Sequence, residues 1–171
     1  MISKFKPTWM FGDIYSISPE FLTANHIKYV LTDLDNTLIP WNQKDGDTRL
    51  SLWLKELNKF GIKVIVVSNN SHDRIEKAVA DYDVEFISRA LKPLTVGINR
   101  AMKRYSINPR NVVMVGDQLL TDIFSANNSG IKSALVKPLV SNDGWTTWFN
   151  RFVEKYVFKL LKKKYSDIHW Q

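Results

Sequence analysis

The sequence predicts an α/β domain, a mostly parallel sheet between two helical layers, on three observations. Short β-branched apolar runs alternate with amphipathic stretches over residues 27–164, the order that builds a parallel sheet covered on both faces. A run such as Lys63-Val64-Ile65-Val66-Val67 lacks the polar alternation of a half-wet strand and suits one buried on both sides. Acidic or polar clusters directly follow these runs, where open parallel sheets gather their ligands. With 171 residues, 44% of them hydrophobic, residues 1–171 read as one domain with a real core; two domains of ordinary size would not fit.

The elements follow in order. The first 26 residues, with Trp9, Phe11, Tyr15, Ile17 and Phe21, read as an aromatic arm packed on the body. Residues 27–33 form the first of about five strands. Residues 39–45 form a loop able to overhang the carboxyl end of that strand. A helix spans 47–60, with Leu50, Trp53, Leu54 and Leu57 on one face and Gly61 as its stop. Strand 63–67 precedes a helix at 74–82 and a short strand at 84–87. Pro93 opens a helix through 105, proline being favoured at the first helical position. Strand 111–115, helix 119–128 closed by Gly130, and strand 131–136 come next. A last helix covers about 144–164. The pattern contains no internal repeat, low-complexity tract or linker.

Composition removes several chemistries. There is no cysteine, so disulfides, thiolate metal sites and cysteine nucleophiles are excluded. His26, His72 and His169 lack paired spacing, which argues against a histidine metal cluster. The N-terminal residues lack the apolar core of a secretion signal, and no apolar run approaches the roughly 20 residues of a membrane span. A cytoplasmic protein is expected. The net charge of +7 is concentrated near the C-terminus in Arg151, Lys155, Lys159 and Lys162-Lys163-Lys164. Lipid surfaces, nucleic acid or phosphorylated substrates are candidate partners; a basic surface serving solubility alone is the alternative.

The chemistry-bearing residues begin with Asp33-Leu34-Asp35-Asn36-Thr37 after the first strand. Side chains two apart in an extended chain share a face, so Asp33 and Asp35 stand together. Their repulsion calls for a cation or a raised pKa, and Mg²⁺ suits carboxylate oxygens. Asp33 can attack phosphorus while Asp35 protonates the leaving oxygen and then activates water; an Asx-rich turn capping a helix is the plainer reading. Ser68-Asn69-Asn70 after the second strand can cradle phosphate or be an ordinary loop. Lys92 after the third can pair with Asp33 and phosphate oxygens or be solvated. In Gly116-Asp117-Gln118-Leu119-Leu120-Thr121-Asp122, Gly116 permits a tight turn, Asp117 can bind a cation and Asp122 lies a helical turn on; helix capping by Asp117 or Thr121 is the rival. The joint occurrence of all four clusters, each after a strand, favours the catalytic reading.

Over residues 27–136 these four clusters resemble the motifs of the haloacid dehalogenase (HAD) superfamily of aspartate-nucleophile phosphatases. More narrowly, Val67-Ser68-Asn69-Asn70, Lys92-Pro93 and Val115 to Asp122 resemble the YqeG group of subfamily IIIA, related to mitochondrial phosphatidylglycerophosphate phosphatases. The resemblance implies a HAD-like Rossmannoid fold and an aspartyl-phosphate on Asp33. It implies Asp35 as acid–base and as donor of a backbone carbonyl to Mg²⁺. Ser68 and the Asn69 amide would bind phosphate, and Lys92 would neutralise nucleophile and phosphate. Asp117 would ligate the metal, Asp122 would support or join the ligand shell, and Thr37 would brace the nucleophile loop. An acid two residues after the nucleophile points to ester hydrolysis, and no motif position departs from the pattern.

Spacing bears on the substrate. HAD phosphatases for small metabolites usually carry a cap after the first motif or between the second and third. Neither gap here can hold a domain of roughly 50 residues, so the enzyme is expected to be capless, open and suited to a large substrate. Trp145, Trp148, Phe149, Phe152, Val153, Tyr156, Val157, Leu160 and Leu161 recur at helical spacing beside the C-terminal lysines. Such a helix can lie on an anionic membrane, the inner face of the cell membrane being the expected one, pack on the sheet or form a dimer. Phosphatidylglycerophosphate is the substrate the resemblance favours; phosphoproteins and nucleic-acid ends are rivals, as is a HAD-fold assembly factor with incidental catalysis.

Overall fold

The computed structural model describes residues 2–40, 48–140 and 148–171, with backbone alone for 148–152. Its centre is a six-stranded, wholly parallel sheet. The strands are β1 (Trp9–Phe11), β2 (Tyr29–Thr32), β3 (Lys63–Val67), β4 (Glu85–Ile87), β5 (Val112–Gly116) and β6 (Lys132–Val136), in the order β1-β6-β5-β2-β3-β4. Strand order runs outward from β2 through β3 to β4, then restarts at β5 on the other side. The crevice between the ends of β2 and β5 is therefore the topological switch point, the position where such sheets bind ligands. Register places Thr32 beside Val115, so the residues after each, Asp33 and Gly116, emerge together.

Alternation along the central strands supplies two cores. Val30, Val64, Val66, Val113 and Val115 face Leu50, Trp53 and Leu57 of α2 (Thr48–Lys59) and Ile75 and Val79 of α3 (His72–Val79). Leu31, Ile65, Val67, Val112 and Met114 face Ile98 and Ala101 of α4 (Val96–Arg104) and Ala126 of α5 (Phe124–Asn128). The continuous apolar runs thus become strands buried on both sides, as the sequence requires. A third cluster seats Leu161 of α6 (Trp148–Lys164) on Met10, Leu119, Ile123 and Leu135.

Three expectations need correction. The sheet has six strands, because Trp9–Phe11 of the N-terminal arm pairs with β6. The arm also holds α1 (Pro19–Ala24), whose Phe21 meets Trp9 and Phe11 edge to face, while Trp53 Nε1 donates to the Ile17 carbonyl at 3.0 Å. Pro93 does not open the fourth helix: the Lys92–Pro93 peptide is cis, Leu94 N–H closes a turn on the Leu91 carbonyl, and α4 starts at Val96. The residues between are used to turn Lys92 inward. Residues 119–128 are a π-turn, Leu119–Ile123, leading into α5. The tip of the 39–45 loop, the start of the helix placed at 47 and the residues 144–147 of the last helix lie outside the described residues, as do the side chains of Trp148, Phe149, Arg151 and Phe152.

Candidate active site

The first cluster turns sharply at the end of β2. Asp33 N–H still donates to the Val115 carbonyl at 3.1 Å, continuing the ladder by one residue. Asn36 then takes a left-handed backbone, φ 62°, which asparagine tolerates better than most residues. The Leu38 and Ile39 N–H groups return to the Leu34 carbonyl at 2.9 and 3.0 Å. Tyr15 braces the loop from the arm through its hydroxyl on the Leu38 carbonyl. Leu34 and Leu38, both fully buried, pin this turn beneath the acidic pair.

Four elements converge on Asp33. Lys92, almost fully buried, reaches in from the turn after β4, its Nζ 2.9 Å from Asp33 Oδ1 and 2.7 Å from Asp122 Oδ1. Asp122, in the π-turn after β5, accepts the Gln118 N–H on its other oxygen at 3.1 Å. Gly116 is required at this point because any Cβ there would collide with the Asp122 carboxylate. Thr37 Oγ1 donates to Asp117 Oδ1 at 3.0 Å, tying the loop after β2 to the end of β5. Asp117 and Thr121 are thus not capping the following turn: its N-cap is Gln118, with no side-chain cap bond.

The carboxylates of Asp33, Asp117 and Asp122 lie within 4.8 Å of one another, all buried. Burial by itself would push the Lys92 ammonium down, but Asp122 and Asp33 hold it above its ordinary value, so it stays charged. Burial pushes Asp122 up, against the pull of Lys92. Three carboxylates and one ammonium leave two formal negative charges, a deficit that one hard divalent cation balances with oxygen ligands. The donor set therefore fits a metal.

The two members of the acidic pair have different partners. The Asp35 carboxylate, 30% exposed, is outside the three-carboxylate group but still feels the charge of Asp33, with Oδ2 accepting from Asn70 Nδ2 at 2.7 Å and Oδ1 from Arg74 Nη2 at 2.9 Å. Burial raises its pKa, with Asn70 and Arg74 pulling the other way, a setting in which a carboxyl can give up a proton and take it back. Among the described residues the Asp35 carboxylate is not part of the acidic group that could hold a metal.

Ser68, buried at the end of β3, accepts the Asn70 N–H and Nδ2 on its Oγ at 3.4 and 3.2 Å. Both bonds use the oxygen as acceptor, so the hydroxyl proton is what it offers an anion. Asn69 is committed differently from the simple cradle: Nδ2 donates to the Lys92 carbonyl at 2.9 Å and Oδ1 accepts the Lys92 N–H at 2.8 Å. Its side chain positions the lysine. All the sequence-selected residues meet at one end of the sheet. Asn70 and Arg74 were missed as partners of Asp35; the available signal was an arginine on the first turn of the helix that follows Ser68.

Comparison with known proteins agrees with this geometry. A HAD-hydrolase-like family model matches residues 90–148. The probable phosphatase YqeG of Bacillus subtilis (strain 168) is 38% identical over 100% of this chain and 99% of its own length. Among solved structures, the cobalt-bound deoxy-D-mannose-octulosonate 8-phosphate phosphatase of Haemophilus influenzae superposes with TM-score 0.53 at 20% identity, over 66% of this chain and 69% of that one. An uncharacterized protein of Listeria monocytogenes serotype 4b gives TM-score 0.54 at 16% identity, over 80% and 99%. The 3-deoxy-D-manno-octulosonate 8-phosphate phosphatase of Moraxella catarrhalis, in complex with magnesium, phosphate and KDO, gives 0.50 at 15%, over 84% and 91%.

Proposed function

The chain belongs to the HAD-like phosphatases, with YqeG as a full-length relative, and on that premise we propose that it hydrolyses a membrane phosphomonoester through an aspartyl-phosphate on Asp33. The observation that carries the mechanism is the buried cluster of Asp33, Asp117 and Asp122 around Lys92, two charges short of neutrality. Mg²⁺, held by Asp33, Asp117 and the Asp35 carbonyl with Asp122 completing or supporting the set, would supply positive charge to the phosphoryl oxygens when bound.

In the first step an Asp33 carboxylate oxygen attacks phosphorus. The phosphorus–ester oxygen bond breaks, and the Asp35 carboxyl gives its proton to the departing alkoxide. The Ser68 hydroxyl, the Asn69 N–H and the Lys92 ammonium hold the transferring phosphoryl oxygens as their charge shifts. In the second step Asp35, now a carboxylate, removes a proton from water as that water attacks the aspartyl-phosphate. Asp33 is released together with inorganic phosphate. Thr37 and Gly116 fix the geometry of Asp117 and Asp122 throughout.

Two features support a lipid substrate, with phosphatidylglycerophosphate first and a relation to the mitochondrial phosphatases of that lipid. The connection from Asp35 to Ser68 holds α2 and β3, and that from Ser68 to Lys92 holds α3 and β4, so among the described residues no cap domain stands over the site. The +7 charge favours an anionic surface, met as a peripheral protein, since no helix among the described residues is long and apolar enough to cross a membrane. A phosphate-release screen tests the reading: phosphatidylglycerophosphate in mixed micelles against phosphopeptides, 3′-phosphorylated DNA and sugar phosphates. Release from the lipid at the highest kcat/KM is expected; preference for a phosphopeptide or DNA end would replace the substrate, and Asp33→Asn with wild-type turnover would remove the nucleophile.

A further inference from the structure

The turn that delivers Lys92 carries its apolar side chains outward. Leu91 is 55% exposed, Leu94 60% and Val96 41%, so three of the exposed large hydrophobics fall within six residues at the mouth of the site. Leu91 also holds a left-handed backbone, φ 57°, which leucine rarely adopts and which asparagine or glycine would hold at less cost. An exposed leucine in that conformation is unfavourable on both counts in water.

The turn lies in a stretch of sequence, between Glu85 and Asp117, that holds no aspartate or glutamate; behind it Arg100 and Arg104 share a cleft with Glu76 and Glu85, and Lys92 is engaged by Asp33 and Asp122. Arg89 and Arg100 are exposed next to the leucines, and the Arg100 guanidinium donates to the Ser88 and Arg89 carbonyls at 2.7 and 3.0 Å, which fixes it beside the turn. Arg100 lies four residues into α4 from Val96, about 6 Å along the axis. Leucines at the tip with arginines one helical turn behind match an acyl boundary beneath a layer of phosphates.

The lysine-rich end of α6 is placed differently. Glu154 accepts the Leu120 N–H at 3.1 Å near the site end of the sheet. Ten residues on, about 15 Å along the helix, Lys164 lies by the junction where Lys6 pairs with Asp167, on the side from which β1 starts. Lys162–Lys164 are thus directed away from Asp33.

We infer that the turn 89–96 is a bilayer-docking surface: Leu91, Leu94 and Val96 enter the boundary of an anionic leaflet, and Arg89 and Arg100 meet its phosphates. Because the same turn holds Lys92 against Asp33, docking brings a headgroup phosphomonoester to the nucleophile without extracting the lipid. The delivery step rests on the lipid-phosphatase reading; the docking does not.

Co-sedimentation with vesicles of phosphatidylcholine plus phosphatidylglycerol, and of phosphatidylcholine alone, tests it. Wild type is expected to bind the anionic vesicles preferentially. Leu91→Asn/Leu94→Ser should bind at least about tenfold more weakly, with a melting temperature no lower than that of wild type, while Leu52→Ser, an exposed leucine on α2, should bind as wild type. The chain has no cysteine, so Leu94→Cys carries a single environment-sensitive dye, whose emission should shift blue on anionic vesicles when the same dye at Leu52→Cys does not. Wild type that ignores vesicles overturns the docking, as does a leucine variant that binds normally or one that instead dissolves a dimer. Soluble-ester turnover reads catalysis separately: vesicle binding without turnover would overturn the phosphatase reading and leave the docking standing.

Discussion

Within two residues the chain passes from a cation with almost no exposure, Lys92, to Leu94, a leucine more than half in the open. Inside the site, one ammonium is held at close range among buried carboxylates and backbone is latched around it. At its rim, apolar groups sit against solvent with cations behind them. The interior is built to fix atoms whatever the substrate looks like. The rim bears on how the substrate is presented. Changes inside should therefore reduce every reaction alike, and changes outside should depend on whether the phosphate is in a membrane.

Lys92→Met gives the largest expected effect and probes the interior. It leaves Asp33 and Asp122 buried without their counter-ion, which typically costs about 3–5 kcal/mol, and turnover of lipid and soluble esters should be lost together. The three carboxylates would then have no counter-ion but a bound cation, so added Mg²⁺ should raise the melting temperature of the variant more than that of wild type. Thermal unfolding with and without chelator measures this. Equal Mg²⁺ response in both proteins would mean that Lys92 and the metal do not share the cluster.

Asp35→Asn should distinguish leaving groups. General acid catalysis contributes typically about 10²–10⁴-fold, and p-nitrophenolate needs no proton to depart where an alkoxide does. Phosphorylation of Asp33 by p-nitrophenyl phosphate should survive better than that by an alkyl phosphate, and loss of water activation should leave the aspartyl-phosphate to accumulate. Rapid-quench trapping reads this as a burst. A uniform loss with no trapped intermediate would separate Asp35 from proton transfer.

Much of the interior was legible in sequence because parallel strands buried on both faces must be unbroken apolar runs, and β2, β3 and β5 end where polarity returns at Asp33, Ser68 and Asp117. What sequence could not rank was depth. Asp122 reads as a supporting residue a helical turn away, yet the π-turn and the missing Cβ of Gly116 make it a full member of the cluster. Trp9–Phe11 is too short to show a period, and its pairing with β6 is made across the whole chain. Pro93 carries the same signature at a helix start as in a turn, so Leu91 and Leu94 read as lead-in to a helix. Arg74 reads as surface, because its carboxylate partner lies 39 positions earlier.

Arg74→Gln should have an intermediate effect. The Asp35 carboxylate would keep Asn70 and lose its charged partner, so the acid would be less well placed without being removed. A fall in kcat of about tenfold, well short of the roughly 10² that displacement of a reacting group by 1 Å can cost, is expected for alkyl phosphates, with KM little changed and Arg74→Lys recovering part of it. Loss confined to KM would make Arg74 a substrate-binding residue.

The smallest effect is expected at Lys162, Lys163 and Lys164, and it sharpens the contrast between rim and flank. In α6, Leu161 is buried on Met10, Leu119, Ile123 and Leu135, with Val157 and Phe158 packed beside it, so this part of the helix is spent on packing; Tyr156 and Leu160 remain exposed among lysines. Lysines near an anionic surface attract it by about 1 kcal/mol each, but only within a Debye length of about 8–10 Å. A protein docked through Leu91 and Leu94 holds the end of α6 farther from the leaflet than that. Replacing the three lysines with glutamine should therefore weaken vesicle binding by no more than about threefold, consistent with a screened charge, and leave lipid hydrolysis near wild type. Vesicle binding titrated against salt is the measurement. A loss larger than that of the leucine pair would move the docking surface from the mouth of the site to the flank of α6, with the catalytic interior unaffected.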